Sequence, residues 1–525
     1  MKKLNDLQYL KLSKGAAFWY NVQLFFLSTF PRWLWYTMIL GFVHLVVKFF
    51  RGIADGCKDI ATTFMKGNWA VKLSFFLFGF GNIYYGQVMR GLFFLLFELV
   101  FIAYMVIPSG GLHWISKCQF FQIGNTVGTV QGGMQEVTQY GETMKIWVAG
   151  DDSVKVLLYG LLSVLFIVAF IWTWRLQVKQ CRICMDITAQ GKKIRSAKDD
   201  LRSLVDDEFH KTLLALPLMG IMIFTVLPII YMVLIAFTSY DAAHDGYSNL
   251  FSWVGLDNFN LLFDVGQGGL GLAFGEILSW TLMWSFFATF SNYFLGMFVA
   301  MMINKKGIKG KKFWRTALVM TIAIPQFVSL MYVSKLFDSS GIIGDLLNDI
   351  PFIKSWLDAN FYKSIWESPT VARVMVIVIN IWVGIPYMML QATGILMNIP
   401  ADLYESSRVD GASPWQQYIR ITMPYMLFVT GPSLLTSFVG NLNNFNVIYL
   451  LTGGGPSNLE IGYAGASVGH SDLLITWLFK IALASPESLY YMASVIGILI
   501  FVVCAVLSLI VYNVIPSTKN EEDFS

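Results

Sequence analysis

Along much of this chain the polar positions do not alternate with the apolar ones. Apolar runs of membrane length are instead separated by short polar or basic stretches. A helix that crosses a bilayer needs about 20 mostly apolar residues. Six such runs lie in the C-terminal part, over 213–237, 273–303, 313–336, 371–397, 425–451 and 489–514. Two more lie upstream, over 91–108 and 154–174, and the segments 33–50 and 73–88 are borderline. The pattern predicts an all-α, polytopic membrane protein of about eight to ten spans.

Composition agrees with that reading. The chain has 525 residues, 56% hydrophobic and only 13% charged, against about 25% charged in soluble domains. The net charge is +4, and the basic residues cluster in loops. They report topology and not nucleic-acid binding. The opening MKKLNDLQYLKLSKGAAFWY has no short apolar core followed by a small-residue cleavage site, so no cleaved signal is expected.

Basic residues set the orientation. Segment 175–211 carries nine lysines and arginines, and NKKGIKGKKFWR at 304–315 carries six. Both are expected on the cytoplasmic side, with two spans between them. Loops 238–272 and 337–370 then fall outside, and segment 398–424 and the C-terminus fall inside. Upstream, 109–153 reads as an outer loop rich in Gly, Gln and Thr. Lys48, Arg51, Lys58, Lys66 and Lys72 all favour the inside. A full span at 73–88 would contradict them, so that segment is expected to lie in the interface or to re-enter. The organisation expected is an N-terminal membrane extension over 1–200 and a six-span core over 201–525.

Catalytic signals are missing. The chain contains no GxxxxGK[ST] and no HExxH. Its five histidines are scattered, and its five cysteines make no disulfide framework. Cys181 and Cys184 form a lone CxxC, short of the four ligands a zinc site needs. The middles of the spans are almost free of ionisable groups, with Glu98 the main exception. Pumps driven by protons or sodium usually keep such groups there, so any uphill transport would draw its energy from a partner. A membrane-embedded enzyme would need a clustered acid, base or metal set, and none is found.

The most polar interruption of the C-terminal part is YESSRVDGASPWQQYIRITMP, Tyr404–Pro424. It fits one short helix with a polar face, a sharp turn at Gly411, and Pro424 in the first turn of the next span. Its spacing is E-S-S-x3-G-x9-I-x-M-P, carried by Glu405, Ser406, Ser407, Gly411, Ile421, Met423 and Pro424, with Asp410 beside the glycine. This resembles the E-A-A-x3-G-x9-I-x-L-P loop of ATP-binding-cassette (ABC) importer permeases. In that family the loop is a cytoplasmic coupling helix that docks in a cleft of the ATPase subunit. The departures are Ala→Ser twice and Leu→Met once.

A second resemblance covers about 205–515. FTSYD (237–241), VGLDNFNLLF (254–263), VINIWVGIPYMML (378–390), SFVGNLNNF (437–445), LTGGGPSN (451–458) and HSDLLITWLFKIAL (470–483) are similar to maltose/maltodextrin permeases of the MalF type. The long extracytoplasmic insert of that family is missing, because 238–272 is short. The resemblance implies a type I importer core of six helices. It also implies a second homologous permease subunit, two ATPase subunits that use the ATP, an external binding protein, and no cofactor of the chain's own.

The resemblance further implies a sugar path on two spans: Asn380, Val383, Gly384 and Tyr387 on one, and Ser437, Gly440, Asn441 and Asn444 on the next. The residues themselves point the same way. Asn380, Gly384 and Tyr387 recur at i, i+4, i+7, and so do Ser437, Asn441 and Asn444. Amides facing lipid are costly, so each polar face looks at a neighbour or at water. Such amides can serve a sugar, or can simply join helices. At Gly440 the family has an aromatic residue. Gly453, Gly454, Gly455 and Pro456 form a tight outer turn, which either shapes the mouth of the path or serves packing. Maltose or maltodextrin is the expected cargo. Raffinose-type oligosaccharides, sugar alcohols and glycerol phosphate are the alternatives, and a phosphate would want Arg or Lys on the polar faces, where none occurs.

Overall fold

A computed structural model describes residues 41–120, 133–139, 142–148, 150, 151–194, 197–246, 250–266, 270–305, 307–360, 362–458, 468–485 and 487–514. The upstream elements are α1 (Gly41–Lys66), α2 (Trp69–Leu73), α3 (Phe80–Tyr84), α4 (Val88–Val106), α5 (Gly111–Cys118), the strands β1 (Gly133–Gln139) and β2 (Glu142–Val148), α6 (Ser153–Ala189) and α7 (Ala197–Val205). The core follows with α8 (Phe209–Ile235, including one π-turn), α9 (Asp257–Phe263), α10 (Gly271–Asn304), α11 (Lys311–Ala323), α12 (Gln326–Leu336), α13 (Ile342–Asn348), α14 (Pro351–Ala359) and α15 (Pro369–Leu396). It ends with α16 (Ala401–Val409), α17 (Pro414–Gln417), α18 (Met423–Leu442), α19 (Phe445–Thr452), α20 (Leu474–Phe479) and α21 (Tyr490–Val514).

Among the described residues, six helices are long and apolar enough to cross a membrane: α4, α6, α8, α10, α15 and α21. A seventh crossing arises if α11 and α12 together count as one span, although they meet at 90°. The stretch 313–336, expected as a single span, is therefore broken. Ile324 precedes Pro325 and is extended, at ψ 126°, because the proline ring disfavours the helical conformation of the residue before it. The stretch 425–451 is likewise two helices. Asn444 turns its side-chain oxygen to the Val447 N–H at 3.3 Å and starts α19 afresh.

The chain forms two compact units. One comprises residues up to 114 together with 161–220, and the other comprises 115–160 together with 221–525. The units interleave along the chain, whereas the sequence suggested one boundary near 200. In the second unit the Trp253 indole donates to the Cys118 carbonyl at 2.9 Å, and the Phe251 N–H donates to Ser153 Oγ at 3.3 Å. Segment 109–153, expected as an outer loop, is not plain loop, because it contains α5 and because β1 and β2 pair antiparallel from Gly133↔Val148 to Gln139↔Glu142.

The first unit explains several features that stood out in the sequence. Residues 73–88 are not a span. They form short helices and turns packed on α4 and α6. The buried carboxylate of Glu98 accepts the Phe78 N–H at 2.8 Å, so the acid in α4 satisfies backbone at a turn. Gln177 of α6 exchanges hydrogen bonds with Ser74, and the Cys181 and Cys184 thiols reach Asn82 and Gln87 at 3.4 Å. The CxxC is one buried face of a helix docked on this turn. No group of three or more potential metal ligands occurs among the described residues.

In the second unit α10 is the central helix. Its buried face runs through Ile277, Trp280, Trp284, Ala288 and Gly296, spaced three, four or eight apart as one helical stripe demands. The small residues allow close approach to α15, and a Cβ at Gly296 would overlap Met388.

Candidate functional site

The polar residues of the buried core gather where α10, α15 and α18 meet. On α10 the residues Thr281, Ser285, Thr289 and Asn292 are all buried. They recur every three or four residues and so share one face. Asn441, at the end of α18, donates to Thr289 Oγ1 at 3.0 Å, and its carbonyl accepts the Trp284 indole N–H at 3.1 Å. Asn444 donates to Asn441 Oδ1 at 3.2 Å while capping α19. These two asparagines are brought together as expected, and in this state their amides are engaged with protein.

Asn380 and Asn292 differ from that pair. They are 6% and 8% exposed, and each keeps one atom without a hydrogen-bond partner, Nδ2 of Asn380 and Oδ1 of Asn292. A buried polar atom left unpaired costs about 1–3 kcal/mol. Gly384, one turn after Asn380 on α15, lies against the Asn292 amide, and a Cβ there would overlap it. The glycine is present because the amide occupies its space. Asn292 was missed in the sequence, since it ends a run of hydroxyl residues inside an apolar stretch. The four-residue recurrence from Thr281 was the available signal.

The remaining residues of the expected path are more dispersed. Val383 and Tyr387 line a shallow cleft with Trp382 and with Thr321, Ile324, Gln326 and Ser329, which lie on both sides of the α11–α12 bend. Tyr387 is half exposed there. Ser437 is half buried on α18. Gly440 is exposed, and a Cβ would meet nothing within 4 Å.

The segment 398–424 folds as two short helices held to the start of α18. Tyr404 and Thr422 share a hydroxyl hydrogen bond of 2.8 Å. Gln417 donates to the Tyr404 carbonyl at 3.1 Å and to Ser407 Oγ at 2.7 Å. Gly411 takes a φ of +76° just past the end of α16, a conformation that side chains resist. Ser413 and Gln416 cap α17 reciprocally. Glu405, Ser406, Arg408 and Asp410 are exposed, Val409 is 88% exposed and Trp415 is 66% exposed. Ile421 is half buried and Pro424 stands in the first turn of α18, as expected. Tyr404, Gln417 and Thr422 were not singled out in the sequence, although they fix the polar helix in place.

The glycine turn after α19 is packed on a buried ion pair. Asp472 is fully buried and accepts from Lys480 at 2.7 Å, from the Gly469 N–H at 2.7 Å and from Thr476 at 2.9 Å. Burial pushes the Asp472 carboxyl up, and Lys480 with the two other donors pulls it back. Gly454 has a φ of +85°, and a Cβ there would overlap Asp472. Ser471 donates to the Gly455 carbonyl, and the His470 N–H donates to the Pro456 carbonyl at 2.8 Å. This geometry supports a packing role for 453–456. Beside it, Arg373 binds Glu276 at 3.1 Å and the His470 carbonyl at 2.6 Å, and lies 4.9 Å from the Trp280 ring. Asn458 donates to the other oxygen of Glu276 at 3.3 Å. This charged cluster, too, was not evident from the sequence.

Residues 292–520 match the family described as binding-protein-dependent transport system inner membrane component. The chain is 32% identical over 383 residues to the maltodextrin transport system permease protein MdxF of Bacillus subtilis, covering 71% of this chain and 85% of that one. It is 29% identical over 454 residues to the maltodextrin transport system permease protein MalC of Streptococcus pneumoniae, covering 85% and 95%. It is 30% identical over 416 residues to the galactooligosaccharides transport system permease protein GanP of Bacillus subtilis, covering 78% and 94%.

Proposed function

Because the chain belongs to the family of binding-protein-dependent transport permeases of the inner membrane, we propose that it is the sugar-conducting subunit of an ABC importer for maltodextrins. A second, homologous permease completes the pathway, and an external binding protein delivers the sugar. Two cytoplasmic ATPase subunits supply the energy, one of them docking on α16. The chain itself binds and conducts, and alternating access carries the sugar inward.

The observation that carries the sugar reading is the pair of unpartnered amide atoms on Asn380 and Asn292. One is a donor and the other an acceptor, on neighbouring helices. A sugar hydroxyl is both acceptor and donor and can answer either. The one basic residue on the Asn380 side of α15, Arg373, is already engaged by Glu276 and the His470 carbonyl, which disfavours a phosphorylated cargo. MdxF and MalC support maltodextrin, and GanP keeps another oligosaccharide as the second reading.

The test is uptake of labelled maltotriose by cells that carry this chain with its partner subunits and lack other importers. Asn380→Leu should abolish uptake while leaving the protein as stable as before, because it removes a polar atom that has no partner to lose. Glu405→Ala should abolish uptake at normal protein level. Uptake of a galactooligosaccharide but not of maltotriose would move the assignment to the second reading. Loss of stability in Asn380→Leu would make Asn380 a structural amide.

A further inference from the structure

Within the first unit, α1 and α6 enclose a cleft of about 590 Å³. One face of α6 lines it with Trp172, Arg175, Lys179 and Arg182, and α1 contributes Gly56, Asp59, Ile60 and Thr63. The basic residues are spaced i, i+4 and i+7, so they form one row. Asp59 is engaged by Arg182 at 2.7 Å, and Asp186 follows Arg182 on the same face. Arg175 reaches the Gly52 carbonyl at 3.3 Å and covers Gly56, where a Cβ would overlap its guanidinium. Lys179 is exposed and has no acceptor among the described residues.

The cleft is therefore built with two kinds of surface. Its rim has three cations and two carboxylates, and both acids, Asp59 and Asp186, lie beside Arg182, which leaves Arg175 and Lys179 facing no carboxylate there. Its walls are apolar, with Trp172, Leu176 and Ile183 on α6 and Ile60 on α1. It also lies where the apolar run of α6 gives way to the basic segment 175–211, which is the level of the membrane–water boundary. Phosphate wants the Arg175 and Lys179 donors, acyl chains want the apolar walls, and Trp172 is exposed as interface aromatics commonly are.

We propose that the cleft between α1 and α6 binds the headgroup phosphate of an anionic phospholipid through Arg175 and Lys179. Such a lipid tethers α1, an amphipathic helix without the apolar length of a span, to the membrane-crossing α6.

Native mass spectrometry of the purified, delipidated full-length chain tests this with phosphatidylglycerol, phosphatidylcholine and excess inorganic phosphate. Phosphatidylglycerol should be retained in preference to phosphatidylcholine, and inorganic phosphate should not displace it. Lys179→Gln, which breaks no contact within the protein, should lower the preference about fivefold, the order expected of one basic contact to an anionic lipid. Arg175→Gln should lower it further, and Lys335→Gln, on an exposed lysine of α12, should leave it unchanged. Unchanged preference in both cleft variants overturns the proposal. So does displacement by inorganic phosphate, which would make the cleft a site for a soluble anion.

Discussion

Lys480 reaches back eight residues to hold a fully buried carboxylate. Removing one partner of such a pair leaves a buried, uncompensated charge, which costs about 3–5 kcal/mol. Lys480→Met is expected to lower the thermal stability of the purified protein accordingly. The loss should also depend on pH. A carboxyl raised by burial binds its proton more tightly in the folded state. Its contribution is fully present below the ordinary carboxylate range and is lost as pH rises through the raised value. The variant should therefore melt higher in mild acid than at neutral pH, and equal melting at both would show that Asp472 is solvated. The glycines at 453–455 announced a turn in the sequence, but the ion pair beneath was not legible. Asp472 and Lys480 are eight residues apart, beyond the reach of helix neighbours, and nothing in that spacing says that they pair or that both are buried. The amides tell the same story. Asn380, Asn441 and Asn444 stood out by periodicity, whereas their difference in pairing depends on neighbours far along the chain.

At the scale of elements, α16 is attached to α18 by side chains that its motif does not include. Tyr404→Phe removes the bond to Thr422, and Gln417→Ala removes two more. Each lost bond is worth about 1 kcal/mol. Both variants should fold and insert normally, yet show lower maltotriose uptake per ATP hydrolysed by the assembled importer. Unchanged coupling in the double variant would mean that α16 is held by its exposed face alone. The long apolar helices were legible because twenty apolar residues admit few other structures in lipid. Their breaks were less so. Pro217, Pro386 and Pro432 lie inside continuous helices, whereas Pro325 ends one. The residue type is the same in all four cases, and the packing around it decides. The hairpin of β1 and β2 was hidden for another reason, since its Gly, Gln and Thr content reads as loop.

For the whole molecule, the basic loops imply an orientation that labelling can check. In a Cys57→Ser background, Lys309→Cys should react with a membrane-impermeant maleimide only after cells are permeabilised. Asp345→Cys should react in intact cells. The opposite pattern would invert every loop assignment, including the cytoplasmic place of α16. Fold class and span order could be read from the sequence because they depend on local hydrophobicity and charge. The interleaving of the two units could not, because it rests on single contacts such as Trp253 with Cys118.

The right-angle joint at Ile324–Pro325 also limits how this protein can move. A straight helix can slide along its own axis like a piston, but two helices set square to each other cannot both do so at once. A change of angle at the joint is the internal motion their connection leaves. Thr321 lies on one arm, Gln326 and Ser329 lie on the other, and all three border the cleft that holds Tyr387. Any swing of the elbow therefore changes the width of that cleft directly, with no intervening part to transmit it.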